Sequence, residues 1–142
     1  MKKLLLLLSA FTLLFISCEE EDESHEIEGT WQLTSGSSID GDETYTYDIE
    51  GCEANTTFTF DGSTLTTNDF YSEEVYNEET QEYEDGECLS ESFTESYSIS
   101  GNTITVDGDS LTYTISGDTL TITYTEEYEG ETYTSTTILT RV

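Results

Sequence analysis

Three cysteines, one histidine and 32 carboxylates carry what chemistry this 142-residue chain has to offer. Their arrangement argues against catalysis. His25 is the sole histidine, and it has no second His or Cys at ligand spacing. Neither a Ser-His-Asp set, nor a Cys-His pair, nor a nitrogen-rich metal site can be built on it. No glycine-rich phosphate loop ending in a lysine is present. Glycoside hydrolysis needs one particular pair of carboxylates, and nothing singles a pair out among so many. Asp40-Gly41-Asp42 and Asp107-Gly108-Asp109 offer oxygens that would suit Ca²⁺. Asp and Gly together are turn formers first, however. The expectation is a protein that is not an enzyme, with no cofactor, no specific metal site and only loosely held divalent cations.

Charge narrows the partners. After Lys3 the only basic residue is Arg141, so once the first 17 residues are set aside, one Arg against 32 acids leaves −31. Nucleic-acid binding is built on Lys and Arg contacts to phosphate, so nucleic acid is excluded as a partner. Direct adsorption to anionic lipid is disfavoured for the same reason.

The N-terminus has another route to a membrane. Lys2 and Lys3 precede an apolar run from Leu4 to Ile16. That run is too short to span a bilayer and has the form of a signal-peptide core. It ends in Leu14-Phe15-Ile16-Ser17-Cys18, which resembles the lipobox of bacterial lipoproteins. The resemblance implies a signal peptide over 1–17, lipidation of Cys18 and a stable membrane anchor, since several acyl chains at ~0.8 kcal/mol per buried methylene hold firmly. Glu19-Glu20-Glu21-Asp22-Glu23 follows and resembles the surface-export signal of Bacteroidota lipoproteins. An acidic tether is expected over 18–27, extended by its own repulsion. With Cys18 lipidated, Cys52 and Cys88 remain, and in an oxidising compartment they are expected to form a disulfide.

The remaining chain reads as strands. Thr30–Ser35 is a first strand with Trp31 and Leu33 on one face, followed by a Gly, Ser and Asp loop over 35–43. Thr44–Ile49 is a short strand, Thr56–Phe60 a clear one, and Thr64–Tyr71 its return. Residues 73–87 are acidic and weakly patterned, either a long hairpin turning near Asn77–Thr80 or a loop. From Ser92 onward, alternating Phe, Tyr, Ile, Leu and Val mark further strands, ending with 132–141. One unit recurs three times, as FTFDGSTLT (58–66), YSISGNTIT (97–105) and YTISGDTLT (113–121). Each is strand, Gly-polar turn, strand. With no helical period anywhere and no proline, eight or nine antiparallel strands in an up-and-down meander are expected. Such a meander closes most simply as a barrel, which removes both sheet edges.

Trp31 near the start and Arg141 near the end suggest how. A guanidinium lies well on an indole face, and that stack would tie the two ends together. Gly29-Thr30-Trp31 with Arg141 resembles the Gly-x-Trp and closing Arg of the lipocalins, and the chain is most similar to lipocalin-like lipoproteins of Bacteroidota. The resemblance spans roughly residues 27–142 and implies an all-β, lipocalin-like barrel domain over 28–142. It further implies non-catalytic binding of a small, partly apolar molecule. Phe58, Phe60, Tyr97, Tyr113, Ile122 and Tyr124 are the candidate lining residues if their phase faces inward. The alternative is a surface module that binds protein or glycan through exposed Tyr and Thr. Either way the expected location is the outer membrane, lipid-anchored and facing outward.

Overall fold

Hydroxyl and β-branched side chains alternating with aromatics favour extended backbone through most of the chain, and strand pairing decides the rest. In a computed structural model, residues 24–128 and 130–142 are described. The signal segment and Cys18 lie outside them. A single helical turn, α1 (Ser24–Ile27), leads into β1 (Gly29–Asp40), β2 (Glu43–Asp48), a 3-10 turn (Glu53–Asn55), β3 (Thr57–Asp61) and β4 (Thr64–Asn77). Then come β5 (Glu82–Ser100), β6 (Thr103–Val106), β7 (Asp109–Ser116), β8 (Thr119–Tyr128) and β9 (Glu131–Arg141). All pairings are antiparallel. The sheet runs β1-β3-β4-β5-β6-β7-β8-β9, and β9 pairs back onto β1, so eight strands make a closed barrel. β2 is the extra strand. It continues the line of β3 along the same edge of β1, paired to residues 35–40 while β3 pairs to 29–32.

The three repeated units are the three hairpins at one end, β3–β4, β5–β6 and β7–β8. Each turns through two residues, Gly62-Ser63, Gly101-Asn102 and Gly117-Asp118, with the glycine φ at 61°, 58° and 60°. A positive φ at only the first central position is the II′ pattern, whose twist matches the flanking strands. The same end is capped by α1. Ile27 is fully buried and its carbonyl accepts a hydrogen bond from Trp31 Nε1 at 2.8 Å. Ile27, expected as the last residue of a tether, instead belongs to the barrel, because its apolar side chain covers the floor.

The strands are longer at the opposite end. β1 runs to Asp40 instead of ending at 35, because backbone bonds to β2 and β9 on both sides outweigh the low strand propensity of its Gly and Ser. The acidic stretch over 73–87 is the outer half of the β4–β5 hairpin. It turns at 77–81, where Asn77 Oδ1 accepts the amides of Glu79 and Thr80. Cys52, in the loop between β2 and β3, is bonded to Cys88 on β5 with the Cα atoms 5.5 Å apart. The link closes a 36-residue separation, worth about 4 kcal/mol on the chain-entropy model.

Ring closure is concentrated in one place. Trp31 and Arg141 are direct partners across the β1–β9 seam, and the guanidinium carbon lies 4.1 Å from the indole centroid. Arg141 also donates to the carbonyls of Glu28 (2.9 Å) and Glu26 (2.7 Å), holding the α1 segment down. Gly29 makes room. A Cβ there would sit 2.9 Å from an Arg141 nitrogen, and its φ of 123° suits only glycine. Arg141→Lys keeps the charge but loses the planar stack and the two-pronged donation. It should cost about 2–3 kcal/mol, with Arg141→Ala at least as severe. Urea denaturation followed by Trp31 fluorescence measures both.

Candidate functional site

Because β-strand side chains alternate, pairing register fixes which residues share the barrel interior. Trp31, Leu139, Leu120, Ile104 and Ile27 are fully buried toward the capped end. Above them is a cavity of about 200 Å³. Its wall comes from Phe58 and Phe60 on β3, Leu65 on β4, Ile104 and Val106 on β6 and Leu111 on β7. β8 adds Ile122 and Tyr124, and β9 adds Ser135, Thr137 and Leu139. The interior is thus filled at the floor and hollow above it. Only Ser135, Thr137 and the Tyr124 phenol are polar in this lining.

Of the six residues expected to line a ligand cup, Phe58, Phe60, Ile122 and Tyr124 stand on the wall of this cavity. Tyr97 and Tyr113 do not line it. Both are buried, and their amides bond to Ser63 and Asn102 in the capped-end turns, so they lie in the packed floor. Tyr97 meets Phe60 edge to face, centroids 5.2 Å apart at 86°. Ser135 and Thr137 line the cavity as well, although no site was expected at them. They face inward because they pair with Tyr124 and Ile122. Glu95 is another such residue, half-buried and paired with the lining Leu65. Alternation is the signal that could have found them: Ser135 and Thr137 share the phase of Leu139, and Glu95 that of Tyr97 and Ile99.

A β-bulge between Leu33 and Ser35 turns Gly36 toward the interior. Tyr47 lies across it from β2, so closely that a Cβ on residue 36 would overlap the ring. At the rim, the Tyr124 hydroxyl donates to Glu126 at 3.0 Å. That bond, the Glu126 charge, burial and the Asp109 charge together raise the phenol above its ordinary range. Tyr45 is raised likewise, chiefly by its hydrogen bond to Glu43. The two Asp-Gly-Asp segments form hairpin turns at this open end. Among the described residues no three His, Cys, Asp or Glu side chains are grouped to hold a metal ion.

The Tyr97 hydroxyl is buried with no hydrogen-bond partner among the described residues. Burial, followed by the charges of Glu28 and Asp61 and by Tyr113, pushes this phenol above 10.0. Below pH 10 it is neutral in both states. Above it, the unfolded chain releases the proton first, so stability falls as pH rises beyond that value. An unpaired buried hydroxyl costs about 1–3 kcal/mol. Tyr97→Phe should therefore be neutral or stabilising at pH 7 and should lose part of the alkaline fall, read from urea midpoints between pH 7 and 11.

No curated protein matches the chain. A family model described as a lipocalin-like domain matches residues 27–110, more than half of it. The matched part runs from Ile27 through β6 to the start of β7. With its closed eight-strand meander, its Gly29–Trp31–Arg141 seam and this match, the chain belongs to the lipocalin-like domain family.

Proposed function

We propose that the protein is a lipid-anchored outer-membrane lipoprotein of the kind found in Bacteroidota, displayed at the cell surface, that binds a small, partly apolar molecule in its barrel without catalysis. The observation that carries the binding reading is the hollow above the filled floor, walled by aliphatic and aromatic side chains. At about 200 Å³ it is below the ~300–1,000 Å³ of most ligand pockets. It therefore suits a single ring or short chain rather than a large lipid. Aromatic bodies bury ~150–250 Å², which at ~25 cal/mol per Å² gives about 4–6 kcal/mol before association losses. That corresponds to dissociation constants of about 40 μM to 1 mM at the tightest.

The anchor reading rests on the sequence around Cys18, and surface display on the acidic run that follows it. The exposed Tyr76 and Tyr83, rings 5.2 Å apart on the projecting β4–β5 hairpin, favour a second reading as a protein- or glycan-binding surface.

Two experiments separate these readings. Ser135→Trp places an indole in the cavity mouth and should weaken binding of a small aromatic probe such as 3-phenylpropanol by about tenfold or more, or ~1.4 kcal/mol. Isothermal titration measures it, and unchanged affinity would move the site to the outer surface. Cys18→Ala should abolish palmitate labelling and shift the protein to the aqueous phase in detergent partitioning. Retained labelling would overturn the anchor assignment.

A further inference from the structure

The cavity adjoins a second hollow whose charge says what the molecule carries at its exposed end. Val106, Leu111 and Tyr124 line both spaces. The outer space, a vestibule of about 450 Å³, adds Glu95, Asp107 and Asp109. Asp107 lies in the β6–β7 turn and Asp109 follows it; Asp107 at φ 49° and Gly108 at φ 96° set a type I′ hairpin. Glu95 comes from β5, turned inward by its pairing with Leu65. The carboxylates thus come from two separate parts of the barrel wall and stand over one end of an apolar cup. Tyr124 lines the vestibule with them, and the cavity too.

The charge is uncompensated. The only Arg or Lys beyond residue 3 is Arg141. It is at the opposite, capped end, committed to Trp31 and to two backbone carbonyls. A fatty acid or other carboxylate seated in the cup would bring its anion against these acids with no cation to receive it. Like-charge juxtaposition of that kind works as rejection. An ammonium group in the same place would meet the carboxylates and the Tyr124 ring. The acids are not grouped as metal ligands, which suits a diffuse organic cation better than a chelated one.

We propose that the barrel selects amphiphilic amines, with the apolar body in the cup and the ammonium in the vestibule formed by Glu95, Asp107, Asp109 and Tyr124. This rests on the cup reading above and adds the charge of the ligand to it. The test uses the folded chain and three probes sharing one apolar body: 3-phenylpropylamine, 3-phenylpropanol and 3-phenylpropanoate, titrated calorimetrically at pH 7 and low salt. The amine should bind at least about tenfold tighter than the alcohol, and the carboxylate weaker than both. The advantage should shrink in 0.5 M NaCl as screening shortens. Glu95→Gln combined with Asp109→Asn should bring the amine-to-alcohol ratio toward one, whereas Glu78→Gln with Glu79→Gln, at the hairpin tip, should leave it unchanged.

Equal binding of amine and alcohol would overturn the charge selection while leaving the cup intact. An amine advantage that survives the Glu95/Asp109 variant would assign it to the overall field of the protein and overturn the vestibule. Binding of none of the three would refute the cup reading itself, and the amine inference with it.

Discussion

A flat cation held against an indole is the contact on which this barrel depends. Trp31 sits on the first strand and Arg141 on the last, and their stacking lies on the seam that joins the two ends of the meander. Every other pairing within the ring joins strands that are consecutive in the chain or separated only by β2. Bringing residues 31 and 141 together closes the longest loop in the molecule. The guanidinium adds donation to the Glu26 and Glu28 carbonyls, so one side chain fixes the seam and the cap together. Gly29 is part of the same arrangement because a side chain there would intrude on the guanidinium.

From that seam the interior divides into two zones. Near the cap, Ile27, Trp31, Ile104, Leu120 and Leu139 are fully buried and Tyr97 packs edge-on against Phe60. Toward the other end the lining turns to Ser135, Thr137 and Tyr124, and the packing opens into the cavity. Small barrels either fill with side chains or hold one small ligand, and here the two outcomes occupy different depths of one barrel. The repeated II′ hairpins all lie at the filled end, where short turns bring the strands together tightly. The β1–β2 and β4–β5 hairpins and the disulfide at Cys52–Cys88 lie toward the hollow end, where the loop between β2 and β3 is bound down onto β5.

The acidity of the chain has a structural consequence as well as a solubility one. With carboxylates at nearly every turn, the rim of the cup is anionic by composition. Glu95 carries that charge onto the inward face of the barrel. The Tyr124 phenol is held protonated beside Glu126 and Asp109. The cup is apolar where it is deep and acidic where it meets solvent.

Much of this was legible from residue order. Alternation of apolar and polar side chains, three copies of one Gly-centred hairpin and a lone Trp paired with a lone late Arg determined an antiparallel barrel and its point of closure. These are local patterns, or a pairing forced by the scarcity of its members. Residue order also marked the two cysteines that bond, and four of the six cavity residues proposed for it. Only the tertiary structure decided the depth at which each inward residue lies. Tyr97 and Tyr113 share the period of Phe58 and Tyr124 yet fall in the floor, because barrel strands are staggered and equal phase does not mean equal height. Ser135, Thr137 and Glu95 share the phase of Leu139 and of Tyr97, but their polar side chains carry no apolar signal of their own, and their cross-strand partners are what set them on the cavity wall. The run of β1 to Asp40 was hidden because its Gly and Ser are held extended by neighbours on both sides, one of them about a hundred residues away in sequence.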